Sequence, residues 1–269
     1  MIESKFADLS QTIHSMGSVV VAYSGGIDST LLLKVAHDCL ADRALALTAV
    51  SSSFPSLELD EAKSIASYIG AQHILIDTFE TEDPRYQENT PNRCFFCKHN
   101  VYDEIVRYAQ QHGFRYVIDG TNADDVGDHR PGRKAAREHG VRSPLQEVGL
   151  SKSEIRHLAQ RLALPNWDKP AAACLSSRIP YGTSITVELL SQIERAERLL
   201  YEMGFRQLRV RHHGQLARIE LPPDEFVRLL SLRDEIIVPF NNLGFQYVTL
   251  DLVGFRSGSM NEVLKSHGR

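Results

Sequence analysis

The stretch from Ser18 to Leu40 constrains the fold more than any other. Residues 18–23, SVVVAY, form an unbroken apolar, β-branched run, the pattern of a strand buried on both faces of a parallel sheet. The turn SGGIDST follows. Then Leu32, Val35, Ala36, Cys39 and Leu40 recur at i, i+3, i+4, i+7 and i+8, one apolar face of a helix. The same unit repeats. ALALTAV at 44–50, HILID at 73–77 and YVIDG at 116–120 read as further strands. Ala62, Ile65, Ala66 and Ile69 mark one helix, and Val101, Ile105, Tyr108 and His112 another. Strands alternating with helices of this length specify an α/β domain, a parallel sheet covered by helices on both faces. Ligand sites in such sheets lie at the carboxyl ends of the strands.

The pattern then loosens. Residues 127–149, GDHRPGRKAAREHGVRSPLQEVG, are basic and punctuated by Gly and Pro, and read as a long loop or mobile arm with a short helix. Residues 127–142 suit either a lid carrying Arg130, Arg133 and Lys134 to phosphates or a disordered arm. Ser151 and Glu154 have capping-box spacing ahead of a helix through Ile155, Leu158, Ala159 and Leu162, which Pro165 ends. Beyond about residue 185 the order changes to a helix over roughly 186–203, two short strands around His213-Gly214, a helix from Pro223 and a final strand, FQYVTLDLV. The expectation is a domain over 1–183 and a smaller α+β domain over 184–269.

Composition closes off several classes. The chain has 269 residues, 42% apolar and 24% charged, with net charge −4, which excludes wholesale disorder. No apolar run approaches the roughly 20 residues of a membrane span, and the N-terminus lacks a basic segment followed by an apolar one. A cytoplasmic protein without membrane partners is expected. Residues 186–269 hold eleven acidic and eleven basic residues, so no basic footprint for nucleic acid is present.

Two segments carry the pattern of a nucleotide site. In Ser24-Gly25-Gly26-Ile27-Asp28-Ser29-Thr30 the glycines permit positive φ and close backbone approach. Ser29 and Thr30 add hydroxyls beside the free amides of a helix N-terminus, an anion site. Asp28 suits Mg²⁺, or caps the helix. The Gly-Lys-Ser/Thr ending of a Walker loop is absent. In Asp119-Gly120-Thr121-Asn122-Ala123-Asp124-Asp125, at a strand end, Asp124 and Asp125 suit Mg²⁺, while Thr121 and Asn122 suit phosphate or ribose.

Four cysteines in such a chain argue for metal ligation or thiol chemistry rather than a disulfide frame. Cys94-Phe95-Phe96-Cys97, expected just before a helix, reads as a redox pair, half of a zinc site with Cys174 and His99, or ligands of an iron–sulfur cluster. Two core thiols are the bland alternative. Cys174 lies in a small, polar segment with Arg178 nearby, which suits a nucleophilic thiolate. Cys39, on an apolar helix face, reads as core.

SGGIDST resembles the PP-loop signature of the N-type ATP pyrophosphatase superfamily, which cleaves ATP between the α and β phosphates. In order, SGGIDST, NRCFFCKH, DGTNADD, ACLSSRIPYG and LRVRHHGQLARIE resemble the LarE family, ATP-dependent sulfur transferases of nickel-pincer cofactor synthesis, over nearly the whole chain. The resemblance implies a Rossmann-like PP-loop ATP pyrophosphatase domain that binds ATP and Mg²⁺ and adenylates a carboxylate of pyridinium-3,5-biscarboxylic acid mononucleotide. It places the adenine edge on Val50, Ser51, Ser52 and Ser53, after the second strand. It implies a sulfur source at Cys174, either as a sacrificed cysteine that becomes dehydroalanine or as one of three ligands, with Cys94 and Cys97, of a [4Fe–4S] cluster. Three cysteines favour the cluster.

Arg209 and Arg211 alternate along a strand and share a face, and guanidinium forks suit a substrate phosphate. Ser177 and Arg178 are expected on the same phosphate. Glu197 and Glu220 match family positions and would bind a divalent metal or orient those arginines. A ring-like homo-oligomer, trimer-based or hexameric, and an unidentified sulfur donor are also implied. The alternatives are a PP-loop tRNA thiolase, another PP-loop adenylating enzyme, or a nucleotide sensor with a structural zinc site.

Overall fold

The computed structural model describes residues 2–127, 131–170, 172–256 and 258–261. The chain divides into two compact units, residues 1–86 with 91–172, and residues 87–90 with 173–269.

In the first unit the elements run α1 (Ile2–Met16), β1 (Val19–Ala22), α2 (Ile27–Leu40), β2 (Ala44–Val50), α3 (Ser56–Ile69), β3 (Gln72–Asp77), α4 (Pro84–Gln87), α5 (Arg93–Gln111), β4 (Tyr116–Ile118), α6 (Pro131–Glu138), α7 (Pro144–Glu147) and α8 (Lys152–Arg161). The four strands are parallel in the order β3-β2-β1-β4. Alternation along each strand sends neighbouring residues to opposite faces. Val19, Val21, Ala44 and Ala46 join Leu9, Leu31, Ala62 and Leu158 in one core. Val20, Leu45, Leu47 and Val117 join Tyr102, Ile105 and Ala109 of α5 in the other. Both faces of the sheet are therefore covered. Because β2 lies on one side of β1 and β4 on the other, the winding reverses between β1 and β4, and the crevice at their carboxyl ends is the topological switch point.

Three local results differ from the sequence reading. α1 has no counterpart there, although Leu9, Ile13 and Met16 are buried at helical spacing. Cys94 and Cys97 lie within α5 rather than ahead of it. The basic stretch is not a detached arm. α6 packs Ala135 and Ala136 into the core, and Arg142 continues the sheet through a parallel bridge to Ile118. Its apolar face is two alanines wide, too small for a hydrophobicity pattern to register. Of the lid residues, Arg133 and Lys134 sit on α6, and Arg130 lies outside the described residues.

The second unit contains α9 (Val187–Glu202), β5 (Arg209–His213), β6 (Leu216–Glu220), α10 (Phe226–Ser231), α11 (Arg233–Asn242) and β7 (Tyr247–Leu250). β5 and β6 form a hairpin around Gly214, at φ +66°, and β7 adds parallel to β6. Ala196, Leu200, Phe205, Val210, Ile219, Phe240 and Phe245 build its core. Truncating a core phenylalanine costs about 3–5 kcal/mol. Residues 87–90 belong here because Asn89, fully buried, donates from Nδ2 to the carbonyls of Pro180 (2.8 Å) and Thr183 (2.9 Å), while its own carbonyl accepts from the Gly182 amide.

Candidate functional site

The loop after β1 turns at Gly25, whose φ is +71° and whose missing Cβ would stand 2.7 Å from the Cβ of Ala62. Only glycine fits. Gly26 is the N-cap of α2 and offers no side chain to cap it, so the first-turn amides, which have no intrahelical acceptors, face outward beside the loop. Two other helices do carry a side-chain cap, Ser151 on α8 in a full capping box and Thr186 on α9. The Ser29 hydroxyl donates to the Gly26 carbonyl (3.0 Å) and stands 3.2 Å from the Ser24 hydroxyl, which sets the loop's curvature. Thr30 is placed differently. It is fully buried, and its Oγ1 accepts from Asn166 Nδ2 (3.0 Å), which also donates to the Gly25 carbonyl (3.0 Å). Thr30 therefore braces the loop from behind. Asn166, unmarked in the sequence beyond following Pro165, holds both.

The second segment meets the first at the switch point. A Cβ on Gly120 would lie 2.8 Å from the amide nitrogen of Ser29, so the two loops touch backbone to backbone. Asp119 organises its turn. It accepts from the hydroxyls of Tyr102 (2.8 Å), Thr121 (3.1 Å) and Ser143 (2.7 Å) and from the Thr121 amide. Burial, and then the Asp119 carboxylate, push the Tyr102 phenol well above its ordinary range. Asn122 accepts from the Asp124 amide, and Asp125 from the Asn122 amide. Lys152 links the two loops, its ammonium 2.5 Å from Asp28 Oδ2 and its amide donating to Asp124 Oδ2 (2.8 Å). Asp28 Oδ1 is buried with no hydrogen-bond partner among the described residues. An unshared carboxylate oxygen beside an anion-binding loop fits a hard divalent cation such as Mg²⁺. The sequence placed Lys152 at a helix start but held no sign of this role.

At the end of β2 the Val50 carbonyl accepts from the Thr78 amide (2.9 Å), so its acceptor is already engaged. Ser51 and Ser53 both donate to Glu80 Oε1. Glu80 is buried, and its Oε2 is unpaired among the described residues. Ser52 is exposed beside them. Nothing in the sequence distinguished Glu80 from any surface glutamate.

None of the four cysteines is in a disulfide. Cys94 is exposed and Cys97 half-buried, one turn apart on the same face of α5, with no side-chain cap at its Asn92 N-cap. Two adjacent thiols at a helix N-terminus fit thiolate ligation. Cys39 is half-buried against the first core, its Sγ donating to the Ser10 carbonyl (3.6 Å), and burial pushes its thiol pKa up.

In the second unit Cys174, half-buried, is the N-cap of a short turn over Leu175–Arg178. Arg178 makes a bidentate pair with Glu197 (2.9 Å on each arm), and its remaining arm donates to the carbonyls of Ala173 (2.7 Å) and Cys174 (2.9 Å) and to Ser177 Oγ (3.0 Å). Glu197 also accepts from the Val210 amide. Arg211 is buried and donates to the Ser177 carbonyl (2.7 Å), Glu220 (2.8 Å) and Ser259 (2.7 Å), while Arg218 pairs with the other oxygen of Glu220 (3.1 Å). Of the two readings of Glu197 and Glu220, the geometry is that of arginine positioning, each carboxylate being filled by guanidinium. Arg209 is the half-exposed member, its guanidinium 5.2 Å from the centre of the Phe255 ring. The structure thus gathers Cys174, Ser177, Arg178, Glu197, Arg211 and Glu220 into the hydrogen-bonded surroundings of one turn, with Arg209 on the neighbouring strand β5.

A glycine loop leading from a central parallel strand into an uncapped helix, met at the switch point by a second acidic turn, defines an α/β nucleotide-binding protein of the PP-loop ATP pyrophosphatase class. Comparison with known proteins narrows this. No family model matches the chain. It is 50% identical to an uncharacterised protein of Synechocystis over 98% of this chain and 99% of that one. It is 42% identical to the pyridinium-3,5-bisthiocarboxylic acid mononucleotide synthase of Lactiplantibacillus plantarum over 98% of this chain and 96% of that one. A distant likeness, 25% identity over 66% of this chain and 59% of the relative, reaches one component of the glutamine-hydrolysing GMP synthase of Archaeoglobus fulgidus. The chain belongs to the LarE family of PP-loop sulfur transferases, that of the pyridinium-3,5-bisthiocarboxylic acid mononucleotide synthase. Among the described residues no helix is long and apolar enough to cross a membrane.

Proposed function

We propose that the protein uses ATP to adenylate a carboxylate of pyridinium-3,5-biscarboxylic acid mononucleotide, releases pyrophosphate, and replaces AMP with sulfur to give the thiocarboxylate, a step of nickel-pincer nucleotide synthesis. The observation that carries the reading is the uncapped N-terminus of α2 beneath the Gly25-Gly26 loop, abutted by Gly120. A carboxylate is a poor acyl donor, and AMP makes it a good one. Outward amides of residues 27–29, the Ser24 and Ser29 hydroxyls, and Mg²⁺ on Asp28 and Asp124 would stabilise the charge that develops on the departing pyrophosphate. Thr121 and Asn122 lie beside the phosphates in this reading, and Val50–Ser52 take the adenine edge.

Sulfur delivery falls to Cys174. In the sacrificial route its thiolate attacks the acyl carbon and AMP leaves. The Cα proton is then lost and the Cβ–S bond breaks, giving the thiocarboxylate and dehydroalanine. In the other route Cys94, Cys97 and Cys174 would be the ligands of a [4Fe–4S] cluster, which would supply an iron site without a protein ligand for an exchangeable sulfide. In this reading the half-exposed Arg209 would contact the substrate phosphate. Arg178 and Arg211 shape the segment around Ser177. A homo-oligomer, a cytoplasmic location and an external sulfur donor belong to the same reading.

The test is Cys174→Ala, assayed with ATP, Mg²⁺ and the dicarboxylated mononucleotide. Mononucleotide-dependent pyrophosphate release is expected to persist while thiocarboxylate, read by mass, disappears. A variant that still makes thiocarboxylate, or a wild-type protein that releases no pyrophosphate, overturns the assignment. Iron and sulfide near four per chain after anaerobic purification, lost in Cys94→Ala, would select the cluster. Their absence, with dehydroalanine at position 174 after one turnover, would select the sacrificial route.

A further inference from the structure

We propose that His99, Asp103 and His139 form a binding site for a divalent transition metal of the zinc class, separate from the three cysteines, that fastens α6 to α5. His99 and Asp103 are one turn apart on α5, and His139 directly follows α6. One ligand atom from each lies within 4.8 Å of the others. Asp103 stands between the rings, with Oδ1 2.7 Å from His139 Nε2 and Oδ2 3.6 Å from His99 Nε2. These distances bracket the spacing of about 3.3 Å between neighbouring ligands of a tetrahedral zinc with bonds of roughly 2.0–2.1 Å. The two imidazoles meet edge to face with centroids 4.6 Å apart.

Two further observations suit a bound cation. His139 Nδ1 lies 2.8 Å from the Ala135 carbonyl, one turn back. That contact fixes the ring and leaves Nε2 to face Asp103, the arrangement that orients metal-bound histidines. The Nδ1 of His99 is buried and unpaired among the described residues, so this ring has an uncommitted nitrogen. Two imidazoles and a carboxylate suit zinc or cobalt, and the exposed Asp103 leaves the fourth position to water. The gain is mechanical. α6 has eight residues, Pro131–Glu138, and anchors itself in the core through Ala135 and Ala136 while carrying Arg133, Lys134 and Arg137. A metal supplies the cross-link that so small an apolar face lacks.

The test uses the full chain with Cys94, Cys97 and Cys174 changed to Ser, stripped by a chelator and titrated with Co²⁺. One Co²⁺ per chain is expected, with ligand-field absorption and no thiolate charge-transfer band. Affinity should fall at least ten-fold in His139→Gln and, independently, in the more exposed His99→Gln. Zn²⁺ should slow tryptic cleavage after Arg133, Lys134 and Arg137 only when both histidines are present. Failure of the serine variant to bind Co²⁺, or undiminished binding in both histidine variants, overturns the site.

Discussion

Replacing Glu197 with Ala separates the two tasks of the second unit. Arg178 and Glu197 are paired with side chains only 3% and 13% exposed. Removing one member of a buried pair leaves the other charge uncompensated, a loss of about 3–5 kcal/mol. For a unit of about 100 residues that lowers the melting temperature by about 12 °C or more. Trp167, the single tryptophan, lies in the first unit, so its fluorescence reports that unit while far-ultraviolet ellipticity reports both. The loss should appear first in the ellipticity. The double variant Arg178→Met/Glu197→Leu removes both charges and should recover at least half of the loss, because apolar replacement of a buried pair is often close to neutral. Its thiocarboxylate formation should stay impaired, since the carbonyls of Ala173 and Cys174 lose their donor. Pyrophosphate release, assigned to the first unit, should persist. A single variant that costs under about 1 kcal/mol, or a double variant no more stable than the single, refutes this reasoning.

Gly25→Ala should cost about 2–5 kcal/mol, combining a left-handed backbone penalty with the contact on Ala62. Thermal melts read it, and adding Ala62→Gly should relieve only the contact. In metal-free protein, alkylation followed by mass should label exposed Cys94 first and Cys39 last, because burial raises the Cys39 thiol and its thiolate is scarce. Labelling of Cys39 ahead of Cys94 contradicts that placement. Burial, and then Lys63, hold the His73 ring below its ordinary value of 6.5, so the unfolded chain takes up the proton more readily than the native one. This contribution to stability is complete above pH 6.5 and is lost as pH falls through the histidine range, with a slope of at most about 1.4 kcal/mol per pH unit. His73→Gln should flatten the acid side of a pH–stability curve, leaving the part due to His212 and His213, which burial also lowers.

What the sequence disclosed and what it hid have physical causes. The strands and α2 are legible because burial on both faces demands continuous apolar runs, and Ser151 with Glu154 announces α8 through a local capping rule. The loop glycines are legible because positive φ excludes most side chains. A short helix in the basic stretch was legible, but the packing of α6 into the core was hidden because alanines on a basic helix leave almost no apolar signal, and the roles of Asn166, Lys152 and Glu80 because their partners lie far along the chain. Thr30 shows the limit of motif reading. Its place in the loop signature suggests a ligand, yet the helix turn points it inward to Asn166. Arg178 and Arg211 show the same limit, since a basic residue near a site reads as anion-binding until its carboxylate partner is seen.

The insertion of residues 87–90 into the second unit has a consequence for any attempt to exchange parts between enzymes of this class. The chain enters that unit, leaves it to make α5 through α8, and returns at residue 173. Asn89 emerges from the ribosome some ninety residues before the carbonyls of Pro180 and Thr183 that it serves. A graft of the carboxyl-terminal part alone would leave those carbonyls without their donor, and a truncation near residue 172 would strand an asparagine built for burial. A portable module must carry two separate gene segments, which makes the smaller unit hard to acquire or lose by a single recombination event.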